Sequence, residues 1–296
     1  MEIVFLGTSA MVPTKERNHS AIFLSYKNEG ILMDCGEGTQ RQLKIAGISP
    51  TKITKIFISH WDGDHILGIP GLLQTLSSSG YGGILEVYGP RNTKKFMKNI
   101  FKAFYFDNRL KLSVNETKQG KFFENKDFIL EAFNLEHKIP TLGINFIEKD
   151  RRKINLSYTK KLKIPEGHLL GKLQKNKPIN WGDRIIKPED ATYVIKGKKV
   201  TYISDTSYCK NCIKFSKDAD VLICDATYSS ELEEKAKEYM HMTAKQAAQI
   251  ANLANVRKLI LTHFSQRYKT TNGLLEDAKN NFKDVVCAYD FMKVKL

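Results

Sequence analysis

The segment His60-Trp61-Asp62-Gly63-Asp64-His65 decides the fold of this chain. Four side chains able to bind a metal lie within these six residues, directly after the apolar run Ile56-Phe57-Ile58, which is typical of a buried strand. Histidine offers a neutral nitrogen and aspartate a hard anionic oxygen, so the set suits zinc, manganese or iron. A polar surface loop rich in His and Asp is the alternative, because short motifs also arise by chance.

The composition indicates a folded protein with an acidic partner. The chain has 296 residues, 42% of them hydrophobic, enough for one large domain or two small ones. Its formal net charge is +15. A surplus of that size favours a polyanionic partner, most often a nucleic acid, although lysines that only keep the protein in solution would give the same count.

The N-terminus and the cysteine count help to predict the cellular compartment of the protein. Met1–Gly7 is strand-like and has no features of a signal peptide, and no apolar run is long enough to span a bilayer. The five cysteines are an odd number for a disulfide framework. We therefore expect a cytoplasmic protein with no membrane partner. The single C-x-x-C, Cys209–Cys212, has no second pair, which favours incidental thiols over a structural zinc site.

Alternation of strand-like and helical patterns predicts a layered α/β fold. The strand-like runs are short, rich in Val, Ile, Leu, Phe and Tyr, and separated by turn residues. They are residues 2–6, 21–25, 31–33, 56–58, 84–88, 129–133, 192–195, 200–203, 221–224 and 258–262. One predicted helix starts at Thr39, which can cap it, and stops at Gly47. Two further helical patterns cover Ile66–Ser78 and Thr243–Leu253.

Residues 149–177 form a strongly basic segment. Ten of them are Lys or Arg and only Asp150 and Glu166 are acidic. Weak periodicity and the sequence Ile164-Pro165-Glu166-Gly167 predict an extended, partly flexible insertion. A solvated loop is possible, but so much charge in one segment favours an arm that binds phosphates.

Four more potential ligands follow predicted strands. Asp34, His137, Asp205 and His263 each stand where an apolar run ends. A layered α/β protein gathers such strand ends. Any one of them alone is more often an ordinary polar residue at a strand end. Together with the segment 60–65, the four favour a metal site.

These motifs resemble the metallo-β-lactamase fold, and more closely its ribonuclease Z branch, the tRNA 3′-processing endonucleases. The resemblance covers nearly the whole chain. It runs through Leu6-Gly7-Thr8-Ser9, the P-x-K-x-R-N loop Pro13–Asn18, Asp34–Gln40, His60–Leu72, Ile164–Gly167 with Leu170–Leu173, Ser204–Thr206, Asp225–Thr227, His241 and Thr262–Phe264. The loop, the arm and the Asp225/His241 pair are more specific than the metal segment, which the fold shares widely.

The resemblance implies an αββα sandwich, one domain over residues 1–296 with an inserted basic flexible arm at 149–177 acting as a tRNA-binding exosite. It implies two divalent metals, zinc by family. One would be held by His60, the residue at position 62, His137 and Asp205. The other would be held by Asp64, His65, His263 and again Asp205, which bridges.

The resemblance also assigns roles in the reaction. Asp64 would accept the proton of the attacking water, and Asp225 would polarise His241, which contacts the phosphate or protonates the departing 3′ oxygen. Asp34 and Thr227 would support these groups. Cleavage would release the 3′ trailer of precursor tRNA, leaving a 3′ hydroxyl and a 5′ phosphate. The candidate RNA contacts are basic residues, namely Lys15, Arg17, Arg151, Arg152, Lys153, Lys160, Lys161, Lys163 and Lys172.

Some roles stay open at this point. Arg17 contacts RNA or instead braces its own loop. His19 and His168 are not expected to be ligands. The family forms homodimers in which the arm reaches RNA on the opposite subunit, so a homodimer is expected.

Position 62 departs from the family pattern H-x-H-x-D-H, because Asp62 stands where the second histidine belongs. A third carboxylate would make the site harder and favour manganese or iron over zinc. Three hypotheses follow: an active nuclease with Asp62 as ligand, an enzyme whose first metal is weak or absent, or an inactive RNA-binding relative or deliberate substitution. A small-molecule hydrolase of the same fold is a further alternative.

Overall fold

The computed structural model describes residues 1–103, 105 and 109–296. Within these residues two seven-stranded sheets account for most of the strands. The first has the order β18-β1-β2-β3-β4-β5-β6, with β1 Glu2–Gly7, β2 Ala21–Tyr26, β3 Glu29–Met33, β4 Lys55–Phe57, β5 Ile84–Gly89, β6 Lys111–Glu116 and β18 Lys293–Lys295. The second has the order β17-β16-β15-β14-β9-β8-β7, with β7 Gly120–Glu124, β8 Phe128–Leu135, β9 Thr141–Glu148, β14 Lys199–Ile203, β15 Val221–Asp225, β16 Lys258–Thr262 and β17 Val285–Cys287.

The remaining strands form two antiparallel ribbons, β10 Arg151–Ile154 with β13 Thr192–Ile195, and β11 Ile179–Trp181 with β12 Arg184–Ile186. The described helices are α1 Thr39–Ile45, α2 Gly63–Ile66, α3 Ile69–Ser78, α4 Thr93–Ala103, α5 Leu156–Lys161, α6 His168–Gln174, α7 Pro188–Ala191, α8 Lys210–Ser216, α9 Glu233–Tyr239, α10 Ala244–Leu253 and α11 Asn272–Lys279, with 3₁₀ turns at Pro50–Lys52 and Ser230–Leu232. None of these helices is long and apolar enough to cross a membrane.

Two apolar clusters show how the layers pack. Leu72, Leu73 and Leu76 of α3 belong to a buried cluster with the first sheet. The alanines of α10 belong to another with the second sheet. Between the sheets the ring of Tyr26 meets that of Phe146 edge-on, with centroids 5.3 Å apart. The layers therefore run helix, sheet, sheet, helix, and the predicted αββα sandwich is confirmed.

Parallel pairing brings the functional strand ends together. In the second sheet Ile203 pairs with Cys224, which pairs with Leu261, so β14, β15 and β16 end at one edge. In the first sheet Met33 pairs with Phe57, so β3 and β4 also end together. Residues that follow these strands meet because the carboxyl ends of parallel strands share an edge.

Two helix starts test the capping predictions. Thr243 is the N-cap of α10, where its hydroxyl accepts from the N–H of Gln246 and Gln246 caps it in return. Thr39 is not the cap of α1. Gly38 holds that position with φ of 78°, a conformation that glycine adopts without a steric penalty, and Thr39 is the first helical residue.

The chain divides into two compact units. The first comprises residues 1–123, 130–146 and 199–296, and the second residues 124–129 and 147–198. The basic segment 149–177 lies in the second unit. The prediction that it is extended is wrong, because it contains α5 and α6, which pack around Ile154, Ile164 and Leu173. Those apolar residues come from separate short elements, so no periodicity marked them in the sequence.

Candidate metal centre

The first candidate metal group joins two residues after β4 to one after β8, and it includes the unusual aspartate. Ligand atoms of His60, Asp62 and His137 all lie within 4.8 Å of one another. Oδ2 of Asp62 is 3.6 Å from Nε2 of His60 and 3.5 Å from Nε2 of His137. The neighbouring imidazoles of His137 and then His60 hold the pKa of Asp62 well below its ordinary value. The shorter side chain therefore still reaches both histidines.

The second candidate group is buried and spans both sheets. Ligand atoms of Asp64, His65, Asp205 and His263 lie within 4.8 Å of one another. The Nε2 atoms of His65 and His263 are 3.2 Å apart. Oδ2 of Asp64 lies 3.4 Å from Nε2 of His65 and 3.3 Å from Nε2 of His263. Burial lowers the pKa of His263, but the carboxylates of Asp205 and Asp225 outweigh it and raise that pKa to about 10.

Asp205 stands between the two groups. Its Oδ1 lies 3.4 Å from Nε2 of His65 and 3.3 Å from Nε2 of His263. Its Oδ2 lies 3.7 Å from Nε2 of His60. Because the two oxygens face different sets of imidazoles, one carboxylate touches both groups.

The donor set fits divalent cations. Nε2 of His60 is buried and has no hydrogen-bond partner among the described residues, although it faces two carboxylates at 3.6 and 3.7 Å. A buried polar atom without a partner is costly, so its position is explained by a ligand that accepts its lone pair. Imidazole nitrogens and carboxylate oxygens are ordinary ligands of zinc, manganese and iron.

Asp34 orients the histidine of the second group. This carboxylate is fully buried, with Oδ2 2.9 Å from Nδ1 of His65. It also accepts hydrogen bonds from the N–H and the hydroxyl of Ser59 and from the hydroxyl of Tyr202. An Nδ1–H that points at Asp34 leaves Nε2 of His65 with its lone pair directed into the site.

The N-terminal loop reaches the same site through its backbone. The N–H of Met11, a residue with φ of 32°, donates to Oδ2 of Asp64 at 2.9 Å. Sequence reasoning missed this contact because a backbone donor leaves no residue-type signal.

Asp225, Thr227 and His241 form a second polar cluster beside the metal groups. Oδ2 of Asp225 is 3.0 Å from Nδ1 of His241, and its Oδ1 accepts from the hydroxyl of Thr227 at 2.6 Å. Although burial raises the pKa of Asp225, the neighbouring His241 lowers it to about 2. The hydroxyl oxygen of Thr227 also lies 3.0 Å from Nδ1 of His263, so Thr227 joins this pair to the second metal group.

Arg17 and Lys15 differ although they share one loop. Arg17 is buried, and its guanidinium donates to the carbonyl oxygens of Tyr268 at 2.7 Å and Ser265 at 3.4 Å. Lys15 is exposed. Of the two roles left open for Arg17, the structure supports the bracing of the loop.

Most of the predicted RNA contacts in the second unit are exposed. They are Arg151, Lys153, Lys160, Lys161, Lys163 and Lys172. Arg152 is half-buried, since it donates to Thr192 and lies 3.5 Å from Glu189. Two histidines were not expected to be metal ligands. His19 is buried, with Nε2 3.0 Å from the carbonyl oxygen of Met11, and His168 is exposed.

A cavity of about 280 Å³ opens over the site. Its lining joins Asp62, Asp64, Asp205, His241 and His263 to residues that the sequence did not single out. These further lining residues include Met11, Tyr228, Tyr239, Gln266 and Arg267. The guanidinium of Arg267 lies over the ring of Tyr228, 5.3 Å from its centroid, and the adjacency of Gln266-Arg267 to His263 was the available signal.

Similar sequences share the whole length of the chain. The family model described as Anti-Pycsar protein Apyc1 matches residues 1–287. A ribonuclease Z of Methanothermobacter thermautotrophicus is 42% identical over 297 residues, covering 100% of this chain and 97% of that protein. A ribonuclease Z of Nitrosopumilus maritimus is 37% identical over 298 residues, and the alignment covers 100% of this chain and 100% of that protein.

Solved structures share the fold. Human tRNase Z, short form, has a TM-score of 0.73 with 28% identity, covering 100% of this chain and 99% of that one. YhfI of Bacillus subtilis, a metallo-β-lactamase fold protein, has a TM-score of 0.73 with 18% identity, covering 99% and 98%. The second likeness concerns the fold alone.

Proposed function

Because the chain belongs to the ribonuclease Z family, and to the family whose model is described as Anti-Pycsar protein Apyc1, we propose that it removes the 3′ trailer from precursor tRNA. It is a metal-dependent endoribonuclease that hydrolyses one phosphodiester and leaves a 3′ hydroxyl on the tRNA and a 5′ phosphate on the trailer. The observation that carries this proposal is the meeting of two donor groups at Asp205 beneath one cavity.

Each donor group would hold one cation. His60, Asp62 and His137 would hold the first, and Asp64, His65 and His263 the second, with Asp205 between them. Cations bound there would supply Lewis acidity that neutralises charge on the phosphodiester oxygens. Zinc is the metal by family likeness, whereas the additional carboxylate of Asp62 favours manganese or iron. Since Asp62 reaches both histidines, its role as a ligand in an active enzyme is the hypothesis that we retain.

Asp64 is the proposed base. Asp64 lines the cavity, and its Oδ2 accepts a hydrogen bond from the N–H of Met11 at 2.9 Å. That donor stabilises the ionised carboxylate, which is the form that accepts the proton of an attacking water. Fixing that oxygen in advance lowers the cost of reaching the reactive geometry.

His241 is the proposed acid. A hydrogen bond from its Nδ1–H to Asp225 would leave Nε2 facing the cavity that His241 lines. Asp225 would thereby orient the ring so that a proton carried on Nε2 points at the substrate. That proton would contact the phosphate or pass to the departing 3′ oxygen of the tRNA. Thr227 supports the pair through its bond to Asp225.

The basic arm 149–177 is the proposed tRNA-binding exosite. Its exposed lysines and arginines suit contacts with phosphates. Lys15 is exposed on the loop whose Met11 touches Asp64, so it is placed to contact RNA near the cut. We further propose a cytoplasmic homodimer, which analytical ultracentrifugation would test by its molecular mass.

Cleavage of a 3′-extended precursor tRNA tests the function. The protein is stripped with a chelator, reloaded with zinc, manganese or iron(II), and analysed for bound metal. We expect one cut per molecule, a 3′ hydroxyl and a 5′ phosphate, and no cleavage without metal. Binding of tRNA without cleavage under every metal would instead support the non-catalytic RNA-binding protein. Salt-insensitive hydrolysis of small esters with intact RNA would support the small-molecule hydrolase.

A further inference from the structure

The pair Cys209 and Cys212 lies outside the proposed metal centre. Cys209 is the N-cap of α8 and Cys212 is its third residue. Their sulfurs are 3.4 Å apart, and both thiols are free. A disulfide has an S–S length of about 2.05 Å, so the sulfurs need to approach by about 1.4 Å to form one.

The two thiols differ in reactivity. A hydrogen bond from the Cys212 thiol, with smaller contributions from the N–H groups of Cys212 and Asn211, lowers the pKa of Cys209 to about 6 despite its burial. The same contact with Cys209, together with burial, raises the pKa of Cys212. Thiolate is the nucleophilic form of cysteine. Cys209 retains 5% exposure, which admits only a small oxidant, and Cys212 retains none.

The segment before Cys209 is attached to two proposed metal ligands. It begins with Asp205 and continues through Thr206, whose hydroxyl accepts from the N–H of Glu136 at 3.0 Å. The N–H of Ser207 donates to the carbonyl of the same Glu136 at 2.9 Å. Since Glu136 precedes His137, a displacement at Cys209 would be felt at both ligands.

We propose that Cys209 and Cys212 are a redox-active dithiol whose oxidation by a small peroxide displaces the Asp205 segment and slows RNA cleavage. The Cys209 thiolate attacks one oxygen of hydrogen peroxide, the O–O bond breaks, and the sulfur becomes a sulfenic acid while hydroxide leaves; the hydroxide takes up the proton that the Cys209 thiol lost on ionising and becomes water. The sulfur of Cys212 then attacks the sulfur of Cys209. The S–O bond breaks, the thiol proton leaves with the hydroxyl as a second water, and a disulfide remains.

Differential alkylation with mass spectrometry tests the dithiol. The folded protein receives about one equivalent of hydrogen peroxide, free thiols are blocked, and disulfides are then reduced and labelled. We expect label at Cys209 and Cys212 before any other cysteine, and reversal by a reducing agent. Free thiols at both positions, or earlier oxidation elsewhere, would overturn the dithiol.

Cleavage of precursor tRNA before and after oxidation tests the coupling, and this readout alone rests on the proposed function. We expect a reversible loss of about tenfold, the scale typical of a displaced metal ligand. Cys209→Ser and Cys212→Ala should cleave normally and resist peroxide, whereas Cys287→Ser should behave as the unmodified protein. A mapped disulfide with unchanged cleavage, or equal loss in Cys209→Ser, would show that the pair does not control the site.

Discussion

The backbone N–H of Met11 donates a 2.9 Å hydrogen bond to Oδ2 of Asp64, so the N-terminal loop and the proposed base share an atom-to-atom contact. The same loop is held from its other end by Arg17, whose guanidinium binds the carbonyl of Tyr268 at 2.7 Å. The loop therefore joins the base to the segment that follows His263. Its geometry is part of the site although no side chain at Met11 is needed for the contact.

Arg17→Ala should destabilise the fold and impair catalysis together. The carbonyl oxygens of Tyr268 and Ser265 lose their charged donor, which we expect to reduce the free energy of unfolding by about 1.5–3 kcal/mol. Urea unfolding and single-turnover cleavage measure the two effects. Lys15→Ala in the same loop is the matched control and should change only the KM for RNA. Equal stability of the two variants would contradict the bracing role.

Asp62→Ala should remove one cation per chain. Without the carboxylate, His60 and His137 lack their shared partner, and we expect the bound metal to fall from two to one and cleavage to fall on the order of 100-fold. Mass spectrometry of the metal content gives the stoichiometry. Asp62→His should restore two cations with preference shifted to zinc. Unchanged activity and metal preference in Asp62→His would remove any special role for the carboxylate.

Asp225→Asn should reduce kcat with little change in KM. The asparagine keeps the size of the side chain but not the carboxylate that holds Nδ1 of His241 and orients its ring, so we expect a loss of about 10²–10⁴-fold in kcat, the usual contribution of a general acid. Steady-state kinetics measures it. Glu231→Gln, which changes a carboxylate in the 3₁₀ turn Ser230–Leu232, is the control. A rise in KM with kcat intact would assign Asp225 to substrate binding.

A triple substitution in the arm should weaken RNA binding and reduce its dependence on salt. It replaces Lys160, Lys161 and Lys163 together by alanine. With fewer phosphate contacts, binding releases fewer counterions from the RNA. The slope of log K against log salt should therefore become shallower by up to about 3. Filter binding at several salt concentrations measures it. The exposed lysines of α4, Lys94, Lys95 and Lys98, form a matched triple control. Equal effects of both triples would mean that only net charge matters.

Asp290 should make stability depend on pH. Burial raises the pKa of Asp290 to about 6, even though it accepts hydrogen bonds from Thr8, Asn18 and Gln42. Since the folded state binds this proton more tightly than the unfolded chain, the stability that it contributes is present below about pH 4 and is lost as pH rises through about 6. The difference in unfolding free energy between the unmodified protein and Asp290→Asn should fall by about 1–3 kcal/mol over that range. A difference that is constant with pH would contradict the shift.

Strand ends could be predicted from the sequence because period and residue type identify strands directly. Asp34, Asp205 and His263 follow apolar runs, and parallel pairing then brings them to shared edges. The predicted set of metal-ligating side chains is brought together for this reason. Their roles as ligands and catalysts stay proposals.

Contacts that depend on loop conformation could not be predicted. The N–H of Met11 and the carbonyl of Tyr268 belong to the backbone, and any residue type supplies them. The helices of the basic arm were missed because its core residues, such as Ile154 and Leu173, come from elements too short to show a period. The sequence favours incidental thiols at Cys209 and Cys212, since spacing alone does not reveal the 3.4 Å between the sulfurs.

The hydrogen bond from Tyr202 to Asp34 joins the end of β3 to β14, and therefore one sheet to the other. Because Asp34 also orients His65, the carboxylate that sets this imidazole is itself held from the second sheet. The entropy of ordering this ligand is thus lost during folding and not during capture of the cation. Affinity for the second cation then reports on the docking of the two halves of the sandwich, and a chain with only one sheet formed has no such site.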